Sequence, residues 1–204
     1  MASLTPHKSF EEHFQSGMEL SEGGLRDQFL ISMPSLRDPV FAHAITYICD
    51  HTEEGALGIV INHPLDINVG DIFEQLELDR SSPISQDMVM SGGPVQMDRG
   101  FVLHPSNFDY ESTIRVSDDI CLTASRDVLE AMANQVGPDK AVVALGYAGW
   151  GAGQLEEEIL ANSWLTVPAD KNILFNTPCE HRWAAASKYL GIDLNLIHGT
   201  AGHA

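Results

Sequence analysis

Basic residues are scarce in this chain. Eleven Lys and Arg stand against 29 Asp and Glu, which gives the 204 residues a formal net charge of −18. A field of this sign repels phosphate backbones and anionic lipid head groups. The cations are also scattered one by one from Lys8 to Lys188 and form no stripe that could follow a duplex. Direct DNA binding is therefore not expected, although the fold could still build a local basic pocket.

Cysteines and long hydrophobic runs are equally few. Cys49, Cys121 and Cys179 lie far apart and form no CxxC pair, which argues against a disulfide framework and against a zinc site. No segment is apolar over the length that a bilayer requires. Residues 1–20 also lack the apolar core and cleavage site of a secretory signal. The sequence thus predicts reduced thiols, a cytoplasmic location and no membrane partner.

The motifs of the common enzyme classes are missing. Among nine histidines no pair has the HxH or HExxH spacing that suits zinc, and neither a GxSxG elbow nor a P-loop occurs. We therefore predict no metal, no cofactor and no assignable catalytic residue. An enzyme of unrecognised type is the alternative. It would use His51 or His104 as acid or base, in a cleft beside a second titratable group.

What the sequence does contain is a distinctive junction at residues 141–165. Its first five residues are apolar without polar alternation, as in a strand covered on both faces. Four glycines between residues 146 and 153 predict a turn with positive φ or close approach to another segment. An acidic helix then begins at Gln154, and its three consecutive glutamates would repel an anion. We interpret Trp150 as a buried wedge in this corner, because buried aromatic rings mostly belong to cores.

Turn residues and periodicity divide the rest of the chain into short elements. Residues 1–20 are predicted to form a helical extension, and residues 21–204 a single domain. Asn68 is expected to cap a helix that reaches residue 78, and Thr177 to open another with a capping box. A further helix is predicted at residues 125–135. Short strands are predicted at residues 28–33, 44–49, 56–61, 88–90, 100–103, 113–116, 120–123 and 164–167.

The chain resembles the AlgH/YqgE family along nearly its whole length. The matching segments are FLISMPSLRDPVF (29–41), HTEEGALGIVINHP (51–64), SGGPVQMDRGFVLHP (91–105), LGYAGWGAGQLEEEI (145–159), NSWL (162–165) and the terminal AGHA. The resemblance implies an α+β fold, with a branched mixed sheet, a small closed β-barrel at its centre and helices around it. The family is largely uncharacterised and labelled as transcriptional regulators. Its motif usually has Arg where this chain has His63, so an anion-binding role there does not carry over.

Four polar or aromatic residues are candidates for a ligand or partner site. Asn62, Arg99, Trp150 and Gln154 each stand beside a glycine- or proline-rich strand end, where clefts tend to gather. Arg99 could bind an anion or a peptide carboxylate, but the abundance of carboxylates favours a structural pair. Residues 91–94, SGGP, could likewise offer amides to an oxyanion, although a plain turn is favoured.

The sequence therefore predicts a non-catalytic binding or regulatory module that acts through a protein partner or a small ligand. Any effect on transcription would be indirect, because the acidic surface does not suit DNA. The alternative is an enzyme that uses a His or Arg in a cleft near the loops at residues 91–105 and 146–154.

Overall fold

The computed structural model describes residues 24–36 and 38–191. The predicted helical extension at residues 1–20 and the terminal AGHA lie outside these residues. The strands are β1 (Gln28–Ser32), β2 (Ile45–Thr52), β3 (Gly55–Val60), β4 (Pro64–Asn68), β5 (Met88–Ser91), β6 (Val95–Pro105), β7 (Thr113–Arg115), β8 (Ile120–Thr123), β9 (Val142–Gly151) and β10 (Trp164–Pro168). The α-helices are α1 (Val69–Gln75), α2 (Arg126–Ala133), α3 (Gln154–Leu160), α4 (Lys171–Asn176) and α5 (Cys179–Tyr189), and a 3-10 helix spans Pro83–Gln86.

Strand β9 joins the two halves of the sheet. The strand order is β10-β1-β2-β3-β9-β6-β8-β7, with β4 paired to β5 and β5 paired to β9. Along one edge of β9, Ala144 and Leu145 pair with β5 in parallel, and residues 148–151 pair with β3 in antiparallel fashion. The sheet is therefore mixed and branched.

The sheet curls into a half-barrel accompanied by five helices, so the α+β class is confirmed. Within the described residues, the strands at the two ends of the order, β10 and β7, do not pair with each other. The closed β-barrel that the resemblance implies is accordingly not shown. No helix in this part of the chain is long and apolar enough to cross a membrane.

Three glycines make the branch in the sheet possible. Gly146 has a φ of 75°, a value that side chains resist. A Cβ on Gly92 would lie 2.2 Å from Gly146 O, and a Cβ on Gly93 would lie 2.2 Å from the carbonyl carbon of Tyr147. The Gly92 amide donates to Leu145 O at 2.8 Å, so it is not offered to an oxyanion. The predicted turn at residues 146–153 is wrong over most of its length, because β9 continues to Gly151.

The predicted N-cap is confirmed at the start of α1, and the predicted capping box is wrong at the start of α5. Asn68 Oδ1 accepts from Asp71 N at 2.9 Å, and Asp71 Oδ2 accepts from Asn68 N at 2.8 Å, which completes a capping box. At α5 the cap residue is Pro178, and no side chain caps the helix. The Thr177 hydroxyl instead donates to Asn172 O at 3.1 Å. It closes the end of α4, a six-residue helix that the sequence patterns did not predict.

Three apolar clusters hold the sheet and helices together. The largest packs α4 and α5 on the sheet and contains Tyr47, Phe101 and Trp183. The second joins α1 and α2 to one face of β6 and β9, with Phe73 fully buried in it. The third surrounds Trp150 and Trp164 beside α3. The two regions considered below lie against the third and the first of these clusters.

Candidate functional site

Trp150 is buried where β9 meets α3. Its ring is 2 % exposed and stacks on Phe41 with a centroid distance of 6.2 Å. Its indole Nε1 donates to Glu158 Oε2 at 2.9 Å, and Trp164 Nε1 donates to the same oxygen at 2.8 Å. One carboxylate of the acidic helix therefore satisfies both buried indoles. The interpretation of Trp150 as a core wedge agrees with this geometry.

Gln154 also belongs to this corner. Its Oε1 accepts from Gly151 N at 3.0 Å, and its Nε2 donates to Glu158 Oε1 at 2.9 Å. Both ends of the amide are thus engaged in fixing the first turn of α3 against the end of β9. Gln154 and Trp150 meet through Glu158, so two of the four predicted site residues are brought together.

Asn62 and Arg99 lie elsewhere and contact other groups. Asn62 Oδ1 accepts from Ile45 N at 2.9 Å, and its Nδ2 donates to His43 O at 2.8 Å, so its amide ties the end of β3 to the start of β2. Arg99 lies in the irregular stretch of β6. Its Nη1 is 3.5 Å from Gln96 Oε1, and its guanidinium carbon is 5.8 Å from the centroid of the Phe101 ring.

The two histidines of the enzyme alternative are held in different ways. His51 Nδ1 accepts from Leu25 N at 2.8 Å, so Nε2 carries the proton that is donated to Glu156 Oε1 at 2.7 Å. This pair meets the requirement for a second titratable group. His104 is fully buried, and burial lowers the pKa of its ring. It therefore lacks the access to substrate that an acid or base needs.

A cleft of about 380 Å³ lies between the start of β9, β5 and the α4–α5 turn. Its volume falls in the range of small-molecule sites, roughly 300–1,000 Å³. The titratable side chains in its walls are Asp87, Asp139, Lys140, Cys179, Glu180 and Arg182. Two of the chain's eleven basic residues therefore line one cleft. None of the four residues chosen from the sequence lines it.

Arg182 is the distinctive side chain of this cleft, because only 9 % of the residue is exposed. Its Nε donates to Thr177 O at 3.0 Å, and its Nη1 donates to Ile61 O. The remaining nitrogen, Nη2, has no hydrogen-bond partner within residues 24–36 and 38–191. Desolvation lowers the pKa of Arg182, yet a guanidinium stays charged at any ordinary pH. The cleft thus contains a fixed, mostly buried cation with one donor nitrogen unused.

Asp87 provides an opposite charge in the same cleft. Partial burial raises the pKa of its carboxyl, and the nearby charge of Arg182 opposes that effect. No hydrogen bond or ion pair joins the Asp87 carboxylate to any described residue. Both charged side chains line the cleft, and they form no ion pair with each other. On the rim, Lys140 Nζ donates to Asn176 Oδ1.

Cys179 is the wall residue that carries a thiol, whose ionised form is a strong nucleophile. Burial raises the pKa of its thiol, and the thiol points to Glu180 Oε2 at 3.4 Å. A neighbouring carboxylate and an apolar surrounding both disfavour the reactive thiolate. The cleft is therefore equipped to bind a charged molecule and poorly equipped to attack one.

A second cleft of about 280 Å³ meets the first at Asp139. Its walls are the 3-10 helix and the loop that follows α2, which continue directly into the walls of the larger cleft. The apolar wall residues are Pro83, Ile84, Met132 and Pro138. We refer to these two adjoining clefts together as the groove; the charged side chains named above line the larger cleft, and the four apolar residues line the smaller one.

The sequence analysis missed the residues of this groove for an identifiable reason. Arg182 belongs to no motif and lies on a helix face, whereas the four candidate residues were chosen at strand ends. The signal was its position on α5, where it lies on the buried face with Trp183, Ala186 and Ser187. A cation on the buried stripe of an amphipathic helix needs a partner. That signal could have singled out Arg182, whereas Asp87 offered no comparable pattern.

Comparison with known proteins places the chain in a family. A family model described as AlgH-like matches residues 29–195. The chain belongs to the AlgH-like family. Two UPF0301 relatives agree with this: a protein of Saccharophagus degradans is 58 % identical over 180 residues, covering 88 % of this chain and 89 % of its own length. A protein of Hahella chejuensis is 54 % identical over 187 residues, covering 92 % of this chain and 100 % of its own length.

Solved structures share the AlgH-like fold. The solution structure of the AlgH protein from Pseudomonas aeruginosa is 47 % identical, with a TM-score of 0.72, and the match covers 92 % of this chain and 100 % of that chain. A Corynebacterium diphtheriae crystal structure is 19 % identical with a TM-score of 0.69, over 90 % of this chain and 95 % of its own. At that identity the second match supports the fold alone. The resemblance read from the sequence motifs is confirmed, and the family names carry no stated activity.

Proposed function

We propose that this AlgH-like protein is a non-catalytic binding module whose groove takes a small charged molecule. The observation that carries the proposal is Arg182, a guanidinium that is 9 % exposed and has one donor nitrogen without a partner in a cleft of about 380 Å³. A guanidinium donates strong, charge-assisted hydrogen bonds to carboxylates and phosphates. A donor held in a cleft by two backbone carbonyls is ready for a ligand without further ordering of the side chain.

A regulatory role would follow from binding, and it would be indirect. A chain with a net charge of −18 is poorly suited to contact DNA itself, so an effect on transcription would pass through a protein partner. The three free cysteines suit a reducing compartment, which supports a cytoplasmic site of action. Binding of a ligand in the groove would then change the protein surface that contacts the partner.

The proposal is tested by NMR with uniformly ¹⁵N-labelled protein and a library of small carboxylic acids, amino acids and phosphate esters. At least one compound is expected to shift the amide signals of residues 86–90, 139–142 and 176–182. The exposed Asp139 lies where the two clefts meet, so Asp139→Trp should block the groove and abolish the shifts. Asp118→Trp, an exposed change in the turn before β8, is the control. A library that leaves all these signals unmoved would refute the proposal.

The enzyme alternative has one observation in its favour, the His51 and Glu156 pair at 2.7 Å. A histidine that donates to a carboxylate is arranged as a general base often is. However, its other nitrogen already accepts from Leu25 N, and neither of the two clefts described above is lined by His51. We therefore interpret the pair as a structural contact that joins β2 to α3.

A further inference from the structure

The larger cleft of the groove contains both signs of charge, which restricts the molecules that fit it. Arg182 Nη2 and the Asp87 carboxylate both line the larger cleft, and neither has a partner among the residues that the structure describes. No ion pair joins the two side chains, so each charge is left for a ligand. A ligand that bridges them would satisfy both groups at once.

Ligands with a single charge satisfy only one of these groups. A simple anion at Arg182 would also face the carboxylates of Asp87, Asp139 and Glu180, which line the same cleft. A simple cation at Asp87 would face the fixed guanidinium. Like charges brought together in a partly desolvated cleft repel each other strongly. A molecule with an anionic and a cationic group a few bonds apart avoids both penalties.

The second cleft of the groove restricts the rest of the ligand. Asp87 follows the 3-10 helix directly, and its amide donates to Ile84 O at 3.0 Å. Ile84 forms part of the apolar wall of the second cleft together with Pro83, Met132 and Pro138. An apolar group attached beside the two charges can therefore extend from Asp87 past Asp139 into this second cleft.

The geometry points to a free α-amino acid with an apolar side chain as the class of ligand. Its α-carboxylate accepts from Arg182 Nη2, its α-ammonium donates to the Asp87 carboxylate, and its side chain lies toward Ile84. This assignment rests on the proposed function, since it names the ligand of the same groove. In this assignment Asp87 is the residue that distinguishes amino acids from plain carboxylic acids.

Isothermal titration calorimetry with three matched compounds tests the assignment. The compounds are L-leucine, 4-methylpentanoate, which lacks the ammonium group, and 3-methylbutylamine, which lacks the carboxylate. L-Leucine is expected to bind wild-type protein about tenfold or more tightly than either analogue, because each analogue loses one charge-assisted hydrogen bond. Glycine should bind more weakly than L-leucine, since it leaves the apolar cleft empty.

Variants at Asp87 and Arg182 separate the two charges. Asp87→Asn should weaken L-leucine binding about tenfold, because the ammonium group loses its partner, and should strengthen 4-methylpentanoate binding, because a carboxylate that repels the anion is removed. The Asp87 carboxylate bonds to no described residue, so this variant should fold normally. Arg182 supports two backbone carbonyls, so Arg182→Lys, which keeps the charge, is preferred to an uncharged substitution. It should weaken L-leucine and 4-methylpentanoate alike. Asp118→Asn, which removes an exposed carboxylate outside the groove, is the control.

The outcomes distinguish this inference from the proposed function. If 4-methylpentanoate or 3-methylbutylamine binds as tightly as L-leucine, or if Asp87→Asn has no effect on L-leucine, the amino-acid assignment is overturned while the groove stays a ligand site. If only phosphate esters from the wider library bind the groove, the same conclusion holds. If no compound in either set binds there, both proposals fail.

Discussion

The Glu158 carboxylate accepts hydrogen bonds from three side chains. Among the acidic residues of α3, its loss should therefore have the largest effect on stability. Trp150 and Trp164 both donate their indole N–H to Oε2, and Gln154 donates to Oε1. Glu158→Ala should lower the free energy of unfolding by about 2–6 kcal/mol, because two buried indole N–H groups lose their acceptor at about 1–3 kcal/mol each. Denaturant melts followed by tryptophan fluorescence measure the change.

The neighbouring glutamate is the matched control. The Glu157 carboxylate is exposed and bonds to no described residue, although it lies in the first turn, where it favours the helix dipole. Glu157→Ala should therefore cost under about 1 kcal/mol. Equal decreases in the free energy of unfolding for the two variants would show that the loss of a negative charge lowers stability and that the indole hydrogen bonds contribute nothing.

His104 is buried at one end of a chain of hydrogen bonds that can accommodate its neutral form. Pro105 O can only accept, so Nδ1 carries the proton and donates at 2.9 Å, and Nε2 must accept from Thr123 Oγ1 at 2.8 Å. Thr123 Oγ1 then accepts from Thr113 Oγ1 at 2.7 Å, and Thr113 Oγ1 accepts from Tyr110 N at 3.0 Å. Hydroxyl groups also accept, so the Thr123 and Thr113 hydroxyls can reorient when Nε2 is protonated, and it is burial that disfavours the charged ring.

The burial of His104 predicts a loss of stability in mild acid. Burial lowers the pKa of His104 below 6.5 in the folded protein, so the unfolded chain binds the proton more readily. The free energy of unfolding should therefore fall as the pH drops through about 6.5 and keep falling until the lowered folded-state pKa is passed. His104→Asn should show a shallower pH dependence over that window than wild type. Identical slopes for the two proteins would contradict the prediction.

At the scale of elements, the branch of the sheet depends on Gly146. Gly146 and Gly153 have nearly the same backbone conformation, with φ of 75° and 73°. A Cβ on Gly146 would lie 2.5 Å from Gly93 O, whereas a Cβ on Gly153 has nothing within 4 Å. Gly153→Ala should cost about 1–2 kcal/mol for the left-handed conformation alone. Gly146→Ala should cost about 2–5 kcal/mol, because backbone overlap adds to that.

Thermal or denaturant unfolding of these two glycine variants gives the comparison directly. Because the conformational penalty is common to both, the difference between the variants isolates the close approach of the two strands. If Gly153→Ala proved as costly as Gly146→Ala, the branch point would not depend on that approach.

Elements whose signals are local could be predicted from the sequence, and those set by distant contacts could not. The start of α1 at Asn68 could be predicted, because both halves of the capping box lie within three residues of each other. The continuation of β9 through Gly149 and Gly151 depends on pairing with β3, residues that are about ninety positions away. The groove was missed for the same reason, since Asp87 and Arg182 come together only when α5 packs on the sheet. Local patterns contain no information about such an encounter.

At the scale of the whole molecule, charge decides which partners are accessible. The formal charge of −18 is spread over a chain with only eleven basic residues, and binding to DNA depends on the release of counterions by clustered cations. Purified protein should show no sequence-dependent shift of duplex DNA in gel or fluorescence anisotropy experiments at physiological salt. Tight binding to one sequence and weak binding to a scrambled duplex would overturn this expectation.

The central position of strand β9 determines how the molecule unfolds. Ten residues complete both half-sheets, one containing β1, β2, β3 and β10 and the other β6, β7 and β8. Without β9, each half-sheet would lose the hydrogen bonds along one edge and the cover over its buried apolar face. Unfolding of one half would therefore expose the apolar face of the other half to water. Fluorescence of Trp150, Trp164 and Trp183 and far-ultraviolet circular dichroism should therefore trace one coincident, cooperative transition in denaturant. Amides of residues 142–145 should exchange with deuterium only through global unfolding, whereas separate transitions would divide the predicted single domain of residues 21–204 into two.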